Sequence, residues 1–335
     1  MKVLVTGAGG FLGQAVVRHL VNAGYSVRAM VRHAKERFLL KEGNIEIVKG
    51  DVIYPKETEK AVDGCNTILH LASVYAFYPW WDKEAPAIYK INVDGTRNML
   101  NAALKHKVEK FIFTSSVASI GKRFDGKLSN EETVYNLWKN SSHYARSKLL
   151  AEQEVLKYCQ RGLPALILNP AIIIGEGDYK PTPSGEIIVK FLNKQYLFCF
   201  NAVLSVADVD DVAEAHISAI KKGRIGERYI LCNKDAYSME KFFALLEKVS
   251  GVKAPKAMIP YPLLLAFVYL EETLSYLIFK KKPLMPSEGI KFCNASVKFD
   301  NSKAVKELGY TTIPFKETLT KAVNWYRENG YVKNA

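Results

Sequence analysis

Lys2-Val-Leu-Val-Thr-Gly7-Ala-Gly-Gly10-Phe-Leu-Gly13 is the stretch that decides the fold class. A short apolar run with β-branched residues ends in glycines at every third position, and helix-forming residues follow. Gly7 allows a tight turn off a strand, Gly10 lets backbone come close to a phosphate, and Gly13 lets a helix pack closely on a sheet. The helix begins at Phe11 and Leu12, with its positive end aimed at the same point. Strand, glycine turn and helix in this order predict a nucleotide-binding α/β unit that cradles a dinucleotide pyrophosphate.

Outward from this stretch, short apolar runs alternate with helical spacing through the first two-thirds of the chain. Strands are read at 2–6, 26–31, 45–48, 67–70, 110–114 and 164–168, and helices at 11–23, 58–63, 87–107 and 142–161. Continuous apolar strands separated by helices imply a parallel sheet covered on both faces, with right-handed crossovers. The expected fold class is α/β: a doubly wound parallel sheet (Rossmann fold) with a smaller, mostly helical C-terminal substrate lobe. After Asn169-Pro170, glycines and prolines break the pattern into loops with one helix near 187–192; 209–222 returns to helical spacing and 228–231 to a strand. The domains are read as 1–170 plus 206–234 for dinucleotide binding, and 171–205 plus 235–335 for the substrate.

The end of the second strand bears on the cofactor. An acid there accepts hydrogen bonds from a ribose 2′-hydroxyl and repels a 2′-phosphate. This chain has Met30-Val-Arg32-His-Ala-Lys35, with no acid before Glu36. Arg32 can pair with a phosphate and stack on adenine, which favours NADP(H) over NAD(H). Asp51 and Val52 follow the third strand, at the adenine edge. Leu71, Ala72 and Ser73 follow the fourth, where the chain passes the cofactor.

Tyr144-Ala-Arg-Ser-Lys148 supplies a phenol and an ammonium one helical turn apart. A tyrosine titrates near pH ~10, and lowering that by ~3 units takes about 4 kcal/mol, which one cation about 4 Å away supplies. Lys148 is that cation, and it can also bond the nicotinamide ribose. Thr114-Ser115-Ser116 ends the fifth strand at the carboxyl edge, where such sheets place ligands. Ser116 is placed to bind a substrate carbonyl beside Tyr144. Asn92, early in the long helix, bonds backbone or a water near Lys148, or simply faces solvent. The chemistry expected of Ser116, Tyr144 and Lys148 is hydride transfer with Tyr144 as acid and base.

Composition narrows the remaining classes. The 335 residues are 48% hydrophobic and 24% charged, as in a soluble globular enzyme. The net charge of +13 is spread along the chain, which suits anionic small ligands rather than nucleic acid. Cys65, Cys159, Cys199, Cys232 and Cys293 show no metal-ligand spacing and read as free thiols in a reducing, cytoplasmic setting. The apolar run before Thr6 is too short for a secretory signal. Residues 261–279 are apolar and precede Lys280, Lys281 and Lys282; as a helix they would reach about 28 Å. Glu271 and Glu272 at the centre count against a membrane span. A helix packed over the substrate cleft is expected instead, with peripheral membrane contact left open. Val74-Tyr-Ala-Phe-Tyr-Pro-Trp-Trp81 suits a fairly apolar carbonyl or alcohol substrate, and equally a hydrophobic lid.

Together these motifs resemble the extended short-chain dehydrogenase/reductase superfamily and its NAD-dependent epimerase/dehydratase family. The resemblance rests on Thr6–Gly13, Gly50-Asp51-Val52, His70-Leu-Ala-Ser73, Asn92-Val-Asp-Gly-Thr96, Phe113-Thr-Ser-Ser116, Tyr144-x-x-x-Lys148, Asn169-Pro170 and Val209-Asp-Asp-Val-Ala213. It implies a Ser116, Tyr144, Lys148 triad, cofactor contacts that include Phe11, Leu12, Thr114, Asn169 and Pro170, and a monomer or homodimer. Residues 178–185 and 223–230 are similar to dihydroflavonol-4-reductase-like and hopanoid-associated sugar epimerase-like proteins; Glu176 departs from the proline of many relatives. The resemblance implies a reductase of ketones or aldehydes. A nucleotide-sugar epimerase or a hydroxysteroid dehydrogenase-like enzyme is the alternative. Val117-Ala118, where sugar dehydratases carry an acidic pair, argues against dehydration. A non-catalytic dinucleotide sensor would lack the tyrosine–lysine pair.

Overall fold

The computed structural model describes residues 1–32, 45–79, 81, 87–281, 283 and 286–333. Residues 33–36, Trp80 and Lys282 lie outside them. The first half alternates strand and helix: β1 (Lys2–Thr6), α1 (Phe11–Asn22), β2 (Ser26–Val31), β3 (Ile45–Lys49), α2 (Pro55–Val62) and β4 (Thr67–His70). Then come α3 (Ala87–Tyr89), α4 (Gly95–Lys105), β5 (Lys110–Thr114), α5 (His143–Gln160) and β6 (Ala165–Pro170). A π-turn at Lys90–Asp94 joins α3 to α4, so the long helix expected at 87–107 is real but locally underwound. Gly95 opens α4 because a Cβ there would sit 2.6 Å from Val52 Cγ2.

The seven-stranded sheet has the order β10-β6-β5-β4-β1-β2-β3, every pair parallel, where β10 is Arg228–Leu231. Chain direction reverses its march across the sheet between β1 and β4, and a crevice opens there beyond the strands' carboxyl ends. Strand alternation distributes the core to both faces. Val3 and Val5 pack with Val16 and Leu20 of α1 and with Ile217. Leu4, between them, packs with Ile68, Phe111, Met99 and Val155 on the other face.

The chain between β6 and β10 adds β7 (Ile172–Ile174), α6 (Pro183–Leu192), β8 (Phe198–Cys199), β9 (Val203–Asp208) and α7 (Val209–Lys222). After β10 come β11 (Ala236–Ser238), α8 (Met239–Ser250), β12 (Ala257–Met258), α9 (Tyr261–Leu274), α10 (Ser287–Asn294), α11 (Ser302–Leu308) and α12 (Phe315–Glu328). The small sheets β11-β9-β7 and β12-β8 fall where the sequence reads as loop (171–205) or as mostly helical (235–335), because strands this short leave no clear periodicity in sequence. A second core of Phe191, Phe242, Phe243, Leu264, Phe315 and Tyr326 holds this largely helical lobe. Within it α9 buries Leu264, Val268 and Glu272 and exposes much of the rest, so the helix expected to be packed is packed on one face only.

Candidate active site

The glycine turn has the shape its residues require. Gly7 sits at φ +68, and a Cβ there would lie 2.8 Å from the Ala72 nitrogen. A Cβ on Gly13 would come within 2.1 Å of the Gly7 carbonyl oxygen, so α1 reaches the turn only as glycine. The Gly10 N–H donates to that carbonyl (2.9 Å), and α1 starts at Phe11. Thr6 ties the floor together: its hydroxyl meets His70 Nδ1 at 2.7 Å and accepts from the Ala72 N–H at 3.2 Å. Burial pushes His70 down to about 3, so it is a neutral strut.

A cleft of about 840 Å³ runs along the carboxyl ends of the strands. Its walls include Gly7, Gly10, Phe11, Leu12, Gly13, Arg32, Asp51, Val52, Leu71, Ala72 and Ser73 at one end and middle, and Thr114, Ser116, Tyr144, Lys148 and Pro170 at the other. Residues up to about 160 positions apart in the sequence are thus brought to one elongated crevice. Its size and its glycine floor fit an extended dinucleotide.

At the reacting end, Ser142 caps α5 by accepting from the Ala145 N–H (3.0 Å), which sets Tyr144 in the first turn. The buried phenol is hydrogen-bonded by Ser116, yet burial outweighs that bond and pushes Tyr144 up to about 12. Lys148, also buried, donates to the Thr114 carbonyl (2.8 Å) and lies over the Phe113 ring. Burial pushes its ammonium down to about 7. The lowered phenol expected from a neighbouring ammonium is therefore not found: desolvation penalises phenolate and ammonium alike.

Asn92 and Asn169 are not on the cleft wall. Asn92 is buried, accepts from the Val74 N–H (2.7 Å), and donates to the Val74 carbonyl (3.0 Å) and to Ser147 Oγ (2.9 Å). It clamps the segment after β4 to α5. Asn169 lies behind the Ser116 turn, donating to the Ser116 carbonyl (3.1 Å) and to Glu152 Oε1 (2.6 Å).

Further residues gather around the site, from the aromatic stretch at 74–81 and the motif at 178–185, together with Glu288 and Phe292, which carry no sequence signal. Tyr75 packs its ring 4.7 Å from that of Tyr144, and Phe77 packs against Phe292. Glu288 accepts from the Tyr78 N–H (2.7 Å) and from the His143 N–H, fastening lid segment, α10 and the start of α5 together. Asp178, in the motif at 178–185, lines the cleft and accepts from Thr182 and Tyr326. Beyond Ser116 and Tyr144 the cleft adjoins a mostly apolar recess lined by Val117, Ala118, Ile120, Leu137, Leu204 and Phe292, with no charged side chain on its wall among the described residues.

Known proteins resemble this chain over its whole length. It is 39% identical to a Synechocystis sp. protein named "Putative dihydroflavonol 4-reductase", covering 98% of this chain and 95% of that one. It is 28% identical to sterol demethylase protein B of Methylococcus capsulatus, covering 99% and 100%. Its fold matches UDP-glucuronic acid 4-epimerase of Bacillus cereus with TM-score 0.78 at 22% identity, over 98% of this chain and all of that one. That enzyme is solved in complex with NAD, as is MoeE5, another structural match. These NAD complexes overturn the preference for NADP(H) drawn from Arg32. The physical reason is an asymmetry: an acid excludes a 2′-phosphate, but an exposed arginine does not exclude a 2′-hydroxyl. The model of the NAD dependent epimerase/dehydratase family matches residues 3–232, and the chain belongs to that family as an NAD(P)-dependent oxidoreductase or epimerase acting on a small molecule.

Proposed function

We propose that this protein uses NAD(H) to interconvert a secondary alcohol and a ketone on an apolar, lipid-like substrate, in the manner of a hydroxysteroid dehydrogenase. The observation that carries this reading is the recess beside Ser116 and Tyr144: at about 60 Å³ it admits an apolar portion of a substrate, and among the described residues its wall holds no lysine, arginine or acid to meet a nucleoside diphosphate. The likeness to a sterol demethylase component supports the same substrate class.

In this reading Gly7, Gly10 and Gly13, with Phe11 and Leu12, hold the pyrophosphate. Arg32, Asp51 and Val52 face the adenosine, and Leu71, Ala72, Ser73, Thr114 and Pro170 flank the nicotinamide half. Bound NAD supplies hydride acceptance and return. Ser116 holds the substrate oxygen, and Tyr144 takes the hydroxyl proton in oxidation and gives it back in reduction. Lys148, whose ammonium burial draws down to about 7, would bond the nicotinamide ribose. Asn92, Asn169 and Glu288 position these groups without touching the reactants.

The test is a panel of apolar secondary alcohols and ketones, sterols among them, with added NAD⁺ or NADH. Stoichiometric interconversion of NAD⁺ and NADH is expected. Turnover of a nucleotide sugar with no net change in NADH would instead make the protein an epimerase.

A further inference from the structure

α9 is built inside out. Its buried face is Leu264, Val268, Glu272 and Ser275, while Leu263, Phe267, Leu270, Leu277 and Ile278 are each more than half exposed. Leu274 and Tyr276 continue this outer face through the π-turn at Ser275–Phe279. Between Tyr261 and Ile278 the two charged residues are Glu271, half-buried and accepting from Ser275 Oγ (2.8 Å), and Glu272, which faces inward and accepts from the Ser287 N–H (2.6 Å). A helix docked on a lobe surrounded by water presents the reverse pattern. The stripe extends about 27 Å along the surface, too long to be scattered single exposures.

We propose that this stripe seats the protein on the surface of a bilayer containing anionic lipid, with α9 lying in the plane of the interface. Tyr261–Ile278 is long and apolar enough to cross a bilayer, but packing favours an interfacial seat: Leu264 and Val268 belong to the lobe core, and Glu272 Oε1 accepts from the Ser287 N–H. Charge selects the partner. Lys280 and Lys281 are exposed directly after the stripe, and Lys253 and Lys256 are exposed just before the helix. A second copy of a chain of net charge +13 would bring like charges together at this face, whereas an anionic headgroup layer complements them. Apolar insertion with flanking lysines is the pairing that holds interfacial helices. α9 packs on α10, whose Phe292 and Cys293 line the apolar recess, so the seated helix adjoins the recess wall. The inference stands on this surface alone and holds whatever reaction the recess serves.

The experiment is flotation of the full chain with vesicles of phosphatidylcholine, with or without one-third phosphatidylglycerol, at about 0.1 M salt. The protein should float with the anionic vesicles and bind neutral ones at least ~10-fold less, with a similar loss in about 1 M salt. Lys280→Glu with Lys281→Glu should weaken anionic binding by ~10-fold or more. Leu270→Glu with Leu277→Glu should abolish flotation while leaving thermal unfolding and NADH binding unchanged, since both leucines are exposed. No flotation of the wild type overturns the proposal, as does flotation that survives the leucine substitutions. A dimer that those substitutions split, with no vesicle binding, assigns the stripe to a second copy and overturns it equally.

Discussion

Tyr144 is pulled in two directions. Its proposed role in reduction needs a neutral phenol, and burial, by pushing it up to about 12, supplies one throughout the neutral range. Oxidation needs the phenolate, which that burial makes scarce. Alcohol oxidation should therefore accelerate between about pH 7 and 9, approaching tenfold per unit, while ketone reduction gains nothing. Initial rates in the two directions across that range check the sign. Tyr144→Phe should cut turnover by ~10²–10⁴-fold, with NADH binding retained by fluorescence; retained turnover would remove Tyr144 from the mechanism. The identities of Tyr144, Lys148 and Ser116 are legible in sequence because chemistry restricts which side chains can serve. Their charge states are not, because desolvation depends on what packs around them.

α5 acts as a single part that carries several groups. Tyr144, Lys148 and Glu152 follow one another at helical-turn spacing on its inner face. Glu152 accepts from Ser119 Oγ (2.6 Å), Asn169 Nδ2 (2.6 Å) and Arg228 Nη1 (3.3 Å). It thereby pins α5 to the turn after β5, the end of β6 and the start of β10. Removing a buried carboxylate from such a network strands its partners. Glu152→Ala should destabilise the fold by about 3 kcal/mol and lower kcat more than it raises KM, because the Ser116 turn loses its anchor. Chemical denaturation beside steady-state kinetics is the check; a loss under about 0.5 kcal/mol would mean the network is idle. Long helices and central strands were legible from their periodicity. β7, β9 and β11 were not, since runs of three to six residues among loops carry too little pattern to show a period.

At the scale of the molecule, distant segments are joined by the packing of α1 on α7. His19 Nε2 lies 3.1 Å from Asp210 Oδ1 and its Nδ1 3.2 Å from Glu214 Oε2, and the Asp210 hydrogen bond holds the imidazole above its ordinary range. A folded pKa above the unfolded one stabilises below the unfolded value and loses that contribution as pH rises through the folded value. The wild type should thus lose thermal stability as pH rises above about 6.5, by a degree or so more than His19→Gln. Equal pH profiles in differential scanning calorimetry would show the imidazole does not contribute. The sequence by itself determined the glycine turn, the strand–helix alternation and the tyrosine–lysine pair, because each is a local pattern set by backbone sterics or one helical turn. Tertiary structure alone decided the burial of Tyr144 and Lys148, the placement of Asn92 and Asn169 behind the cleft, the Glu288 fastening and the outward apolar face of α9. These depend on which surfaces meet between segments from about 15 to more than 200 residues apart, and no local pattern encodes such a meeting.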